Sequence, residues 1–138
     1  MIFTHHELRI ELNDNWWSEA GMIGFVPMAK YYRVDPDFSK GQQISAVRIE
    51  DVEAAVVRSS NVGIFHDSIE EGTARERVLR ILRGFRLGEA IPPVQISAGR
   101  GAHRFKLVHG AHRFYCSLAA GFTHVPAIKG FDYDSLDQ

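Results

Sequence analysis

Leu8, Ile10 and Leu12 alternate with Glu7, Arg9 and Glu11. A period of two sends successive side chains to opposite faces of an extended chain, so residues 7–12 are expected to form a half-buried strand. Asn13-Asp14-Asn15 then reads as a turn, because short polar side chains bond their own backbone there. Residues 21–26 and 31–34 are expected to be two further short strands, ended by Pro27 and by Asp35-Pro36. Residues 50–58 read as a short helix with Val52, Ala55 and Val56 on one side, and 62–65 as a strand. The period changes over 75–86, where Val78, Ile81, Leu82 and Phe85 recur at spacings of three and four. That is one buried face of a helix, with Arg77, Arg80, Arg83 and Arg86 on the rest of the wheel. Thr73 with Glu76 has the form of a capping box, Gly84 weakens the last turn, and Gly88 is the expected stop.

Beyond Pro92-Pro93 the spacing predicts a strand at 94–97, a glycine-containing hairpin loop at 98–102 and a return strand at 103–109. Gly110 ends that strand. A helix is expected over 111–120, with Tyr115, Leu118 and Ala119 on its buried stripe and Gly121 at its end. A last strand follows at 124–128. Glycines punctuate the whole length, which favours a mixed fold with many turns. A chain of 138 residues is expected to make one domain, residues 1–138.

Composition narrows the function classes. An apolar fraction of 45% with 24% charged residues excludes a disordered tail, a collagen-like fibre and a disulfide-stapled mini-protein. The net charge of -1 supplies no overall positive field, so nucleic-acid binding would need a local patch. The single cysteine, Cys116, cannot form an internal disulfide and is expected to be a small core residue. One cysteine, no basic-then-apolar start and no run of about 20 apolar residues lead us to expect a cytoplasmic protein without a membrane partner.

The densest chemistry lies in Leu107-Val108-His109-Gly110-Ala111-His112-Arg113. Gly110 allows a sharp bend and a close approach by a ligand. The helix that follows offers backbone N–H groups and the positive end of its dipole. Arg113 can hold phosphate oxygens through two N–H groups at once. Together these make a candidate phosphate pocket, although a helix entered through glycine with a basic first turn is also ordinary structure.

Gly110-Ala111-His112-Arg113, followed by Phe114, Ala119, Gly121 and Val125-Pro126-Ala127, resembles the signature helix of the ParB/sulfiredoxin superfamily. Ile91-Pro92-Pro93-Val94-Gln95-Ile96 is similar to that family's strand after its first helix, and 75–85 takes the place of the helix itself. The resemblance covers about residues 73–129, with 1–60 as a strand-rich extension. It implies a small α+β, ParB/sulfiredoxin-like fold, a mixed sheet with helices packed on it, in which Gly110, Ala111, His112 and Arg113 wrap nucleotide phosphates. It further implies a nucleotide partner, ATP or CTP with Mg2+, hydrolysis of that nucleotide, and DNase or DNA-transfer roles of the kind found among plasmid-encoded relatives. Sulfiredoxins carry their catalytic cysteine where this chain has Ala111, and Cys116 lies a helical turn onward, so sulfinic-acid reduction is rejected. Partition proteins carry a glutamate at the same place. Hydrolysis here needs a carboxylate from elsewhere, and Asp67, Glu70, Glu71 and Glu76 are the candidates, with His112 as a further catalytic candidate.

Arg75, Arg77, Arg80 and Arg83, extended by Arg100 and Arg104, form a candidate DNA or phosphate patch, or simply a solvated helix face. His103, His109 and His112 lack the spacing of a metal site, and none is expected. Trp16-Trp17 and Tyr31-Tyr32 read as edge and core packing, with a protein-binding surface as the other reading. His5-His6 reads as a strand start. Two functions stand side by side: a Mg-dependent nucleotide phosphohydrolase or DNase, and a non-catalytic module that recognises nucleotide, DNA or a protein partner.

Overall fold

A computed structural model describes residues 1–39, 41–53, 65, 72–99 and 104–129. The described elements are β1 (Ile2–His5), β2 (Leu8–Glu11), α1 (Asp14–Glu19), β3 (Ser45–Arg48), β4 (Val52–Glu53), α2 (Ala74–Leu87), β5 (Val94–Ala98), β6 (Phe105–His109), α3 (Ala111–Ala120) and β7 (His124–Lys129). Short 3-10 turns occupy Pro36–Ser39 and Ile49–Asp51.

Five strands form one mixed sheet in the order β3-β7-β5-β6-β4, and β1 and β2 form a separate antiparallel pair. β5 runs antiparallel to β6 and parallel to β7, while β3 runs antiparallel to β7. The fold is α+β, as expected. α2 and α3 pack on each other, and α3 also packs on β5 and β7. The apolar stripe of α2 is buried through Val78, Leu79, Leu82 and Phe85, with Ile81 half-buried at the margin. Full burial of one such side chain is worth about 1.5–3 kcal/mol. Thr73 Oγ1 accepts the Glu76 backbone N–H at 3.1 Å, a cap worth about 1 kcal/mol. The helix ends at Gly88 with φ 69°, and Glu89 N–H returns to Gly84 carbonyl at 2.9 Å. Gly84 has a packing role besides: a Cβ there would come within 2.8 Å of Ile91 Cδ1.

α3 is buried more evenly than its expected stripe. His112, Phe114, Tyr115, Cys116, Ser117 and Ala120 are buried, and Leu118 and Ala119 are half-buried. A helix covered by α2 on one side and by the sheet and the β1–β2 pair on others has no single inner face. The His5 ring, for example, lies edge-on to Phe114 and Tyr115 at 5.3 and 6.0 Å.

The N-terminal third departs most from expectation. Asn13 is an N-cap rather than part of a turn: its Oδ1 accepts Asn15 N–H at 2.8 Å and α1 follows directly. Trp16 and Trp17 therefore lie on a helix and pack half-buried against the core. Residues 21–26 form turns, not a strand. Of 31–34 only Val34 makes a β-bridge, to Ile91. Residues 49–53 are a 3-10 turn leading into β4, in place of the start of a helix. The remainder of that expected helix, and of the strand expected at 62–65 apart from Phe65, lies outside the described residues. β1 and β3 are strands that no alternation announced.

Candidate functional site

β6 and α3 meet at Gly110, whose φ of 101° belongs to glycine. A Cβ at this position would lie 3.0 Å from both Arg113 Nη2 and Val94 Cγ1. The bend thus brings the backbone tight against β5 and under the Arg113 guanidinium. Gly110 has no side chain with which to cap the helix start, and the first described bond there runs from Phe114 N–H to Gly110 carbonyl at 2.9 Å.

A groove of about 700 Å³ opens along this bend. Gly110, Ala111, His112 and Arg113 line one side of it, and Arg77, Arg80 and Ile81 of α2 line another. The segment Glu89–Pro92 and the end of β6 from Leu107 complete it. The phosphate-site residues expected at 110–113 are therefore brought together with two of the expected arginines. Three guanidiniums and His109 share this groove with a helix N-terminus, so an anion placed there meets positive charge from both helices.

His112 is 5% exposed, and its Nδ1 lies 2.9 Å from an Nη of Arg77. The Phe65 ring stands edge-on to it at 5.5 Å. Tyr32, buried behind the groove, donates its hydroxyl to Pro92 carbonyl at 2.6 Å. Burial pushes the Tyr32 hydroxyl above its ordinary pKa, and the Arg113 charge pulls the other way.

The rest of the expected patch is dispersed. Arg75 pairs with Glu19 of α1, and Arg86 Nε donates to Ala20 carbonyl at 2.9 Å, so both are turned toward α1. Arg83 is exposed off the groove. Arg104 stands over the Phe105 ring at the far end of β6, 5.9 Å from its centroid. Glu76 is exposed on the first turn of α2 and does not line the groove. Asp67, Glu70, Glu71, Arg100 and His103 lie outside the described residues. Among those described, no cluster of three His, Cys, Asp or Glu side chains is arranged to hold a metal. Cys116 is fully buried, and burial pushes its thiol pKa up. No described helix is long and apolar enough to cross a membrane.

One lining residue escaped the sequence reading. Glu89 is the carboxylate that the described residues contribute to the groove. It follows the far end of α2, well beyond the acids near the helix start. A signal lay in its position directly after the Gly88 stop, on the short link to β5.

Comparison with known proteins adds no relative: no family model, no curated protein and no solved structure matches the chain.

Proposed function

We propose that the groove at Gly110 receives the polyphosphate tail of a nucleotide, in the manner of a ParB-like nucleotide-binding protein. One observation carries the reading: a bend crowded against β5, the start of a ten-residue helix, and Arg77, Arg80 and Arg113 from two helices all line one open groove. Backbone donors and guanidiniums that converge from different elements favour a ligand with several anionic oxygens over a single carboxylate. ATP or CTP with Mg2+ is the ligand class that the motif Gly110-Ala111-His112-Arg113 suggests. The non-catalytic module is the simpler form of this reading, because Ala111 brings no charge to the bend.

Hydrolysis is the second form, and Glu89 favours it. Mg2+ carried by a nucleotide leans on phosphate oxygens, water and one or two carboxylates, and among the described lining residues Glu89 is able to serve. The ion would screen phosphate charge, while the arginines hold the tail in place. DNA as a partner is supported less, since Arg75 and Arg86 are engaged with α1. DNase activity and a role in plasmid transfer rest on the resemblance alone.

Arg113→Ala tests the core of the proposal. The residue is only half-buried, so the fold should persist while affinity for ATP and CTP falls about 30-fold or more, the weight of a bidentate charged contact. Unchanged affinity in a folded Arg113→Ala protein defeats the proposal. Glu89→Gln with Mg2+ then separates the two forms: release of phosphate that disappears in this variant supports hydrolysis, and binding without product supports the module.

A further inference from the structure

Arg77 does more than add charge to the groove. A guanidinium only donates, so in its 2.9 Å contact with His112 the Nδ1 atom is the acceptor and carries no proton. A neutral imidazole held this way has its proton on Nε2. A proton on Nδ1 would set N–H against N–H, and one added there while Nε2 keeps its own would place two positive charges in contact, with the ring only 5% exposed to water. Among the described residues, the charged and titratable groups that share the groove with this ring are Arg77 and Arg80 from α2, His109 from β6, Arg113 from its own helix and Glu89 from the segment after α2. All but Glu89 are basic, and the Phe65 ring adds no charge.

The same guanidinium that holds His112 also lines the anion groove. We propose that Arg77 is the positioning residue of His112 and couples anion binding to proton uptake. Without ligand, Arg77 holds the imidazole neutral in one tautomer. A polyphosphate draws the guanidinium into its own hydrogen bonds and lets Nδ1 take a proton from solvent, and the anion offsets the new charge. The second half of this proposal rests on the anion-binding reading of the groove; the first half does not.

Two measurements test the halves separately on the full chain. Imidazole nitrogen shifts of His112 without ligand should report the Nε2–H tautomer near pH 7.5. Arg77→Met should lose that fixed tautomer and Arg77→Lys, which still donates, should keep most of it, with thermal melts establishing that both fold. An Nδ1–H tautomer in the wild type, or one unchanged in Arg77→Met, overturns the positioning role. Tripolyphosphate is then titrated by calorimetry in buffers of different ionisation heat. Wild type should take up more protons than His112→Asn, a difference from which the ligand's own protonation cancels. Its affinity should tighten by up to about tenfold per pH unit as pH falls through the histidine range. Equal uptake in the two proteins overturns the coupling. If tripolyphosphate fails to bind, the anion reading and the coupling fall together, and a fixed Nε2–H tautomer in the same sample locates the failure in that reading.

Discussion

Two grooves meet at the end of α2, and they differ in nearly every respect except their shared wall. The first is the basic groove at Gly110. The second, about 480 Å³, is lined by Phe25, Val26, Met28, Tyr31, Phe85, Leu87 and Phe122 among others. Glu89 lines both. So in effect does Tyr32, whose ring lines the apolar groove while its hydroxyl holds Pro92 of the basic one. The basic groove draws its charge from two regular helices whose positions are locked by buried faces. The apolar groove takes much of its wall from the turns of 21–33, where Met28 is fully exposed, and Val26 is 73% exposed. Precise placement of charge needs rigid elements, because a guanidinium an ångström out of place loses a bidentate contact. Apolar surface makes no such demand, so loops can supply it. The lesson is that the first groove has its charges fixed by regular helices, whereas the second takes apolar area from turns.

The comparison breaks most visibly at Gly110. Gly110→Val adds two γ carbons where even a Cβ meets Val94 and Arg113 at 3.0 Å, on a φ that β-branched residues avoid. We expect a loss of about 2–3 kcal/mol in urea denaturation together with loss of the proposed anion binding in the first groove. A wild-type unfolding midpoint would mean that the bend is not tight. Tyr32→Phe comes next, because it removes the hydroxyl that joins the two walls. It should cost about 1–2 kcal/mol, since Pro92 carbonyl loses its partner.

Alkali sharpens the contrast between the core and both grooves. Cys116 and Tyr32 have raised pKa values in the folded chain, so both bind their protons more tightly folded than unfolded. Their contribution is complete below the ordinary thiol and phenol values of 9.0 and 10.0 and is lost as pH rises above them. Stability should therefore fall above about pH 9, by at most about 1.4 kcal/mol per pH unit from the thiol. Cys116→Ala should flatten the part of that fall contributed by the thiol, and an identical slope in the variant would exclude Cys116 as its source. The smallest effect is expected at the second groove. Met28→Asp should change stability by no more than about 0.5 kcal/mol, because the side chain is fully exposed, yet it should weaken binding of an apolar fluorescent dye. Dye binding equal to wild type would place the apolar site elsewhere.

Legibility in the sequence divides at about the same line as the grooves. The limits of α2 and α3, the β5–β6 pair and β7 all follow from period, cap and glycine, because each is long enough for its pattern to repeat. The convergence of Gly110 and Arg113 could be read because four consecutive residues at a strand–helix junction carry it. Arg77, Arg80 and Glu89 are different. α2 carries arginines at regular spacing, and nothing local says that Arg77 and Arg80 face the groove while Arg75 and Arg86 bind α1.

What the chain determines by itself is therefore local: a helix where apolar residues recur at three and four, a strand where they alternate, a stop at glycine, a buried thiol. These depend on neighbours within a turn or two, and the chain states them directly. Short strands such as β3 and β4 are too brief to repeat a pattern, and their partners lie far along the chain: Ser45 faces Ala127, and Val52 faces Phe105. Tertiary structure alone decides them, because an edge strand forms only where a sheet already offers its hydrogen bonds. The same holds for the groove. Its charge is written in single residues, but which residues share one space is fixed by the packing of α2 on α3, and that depends on every buried contact at once.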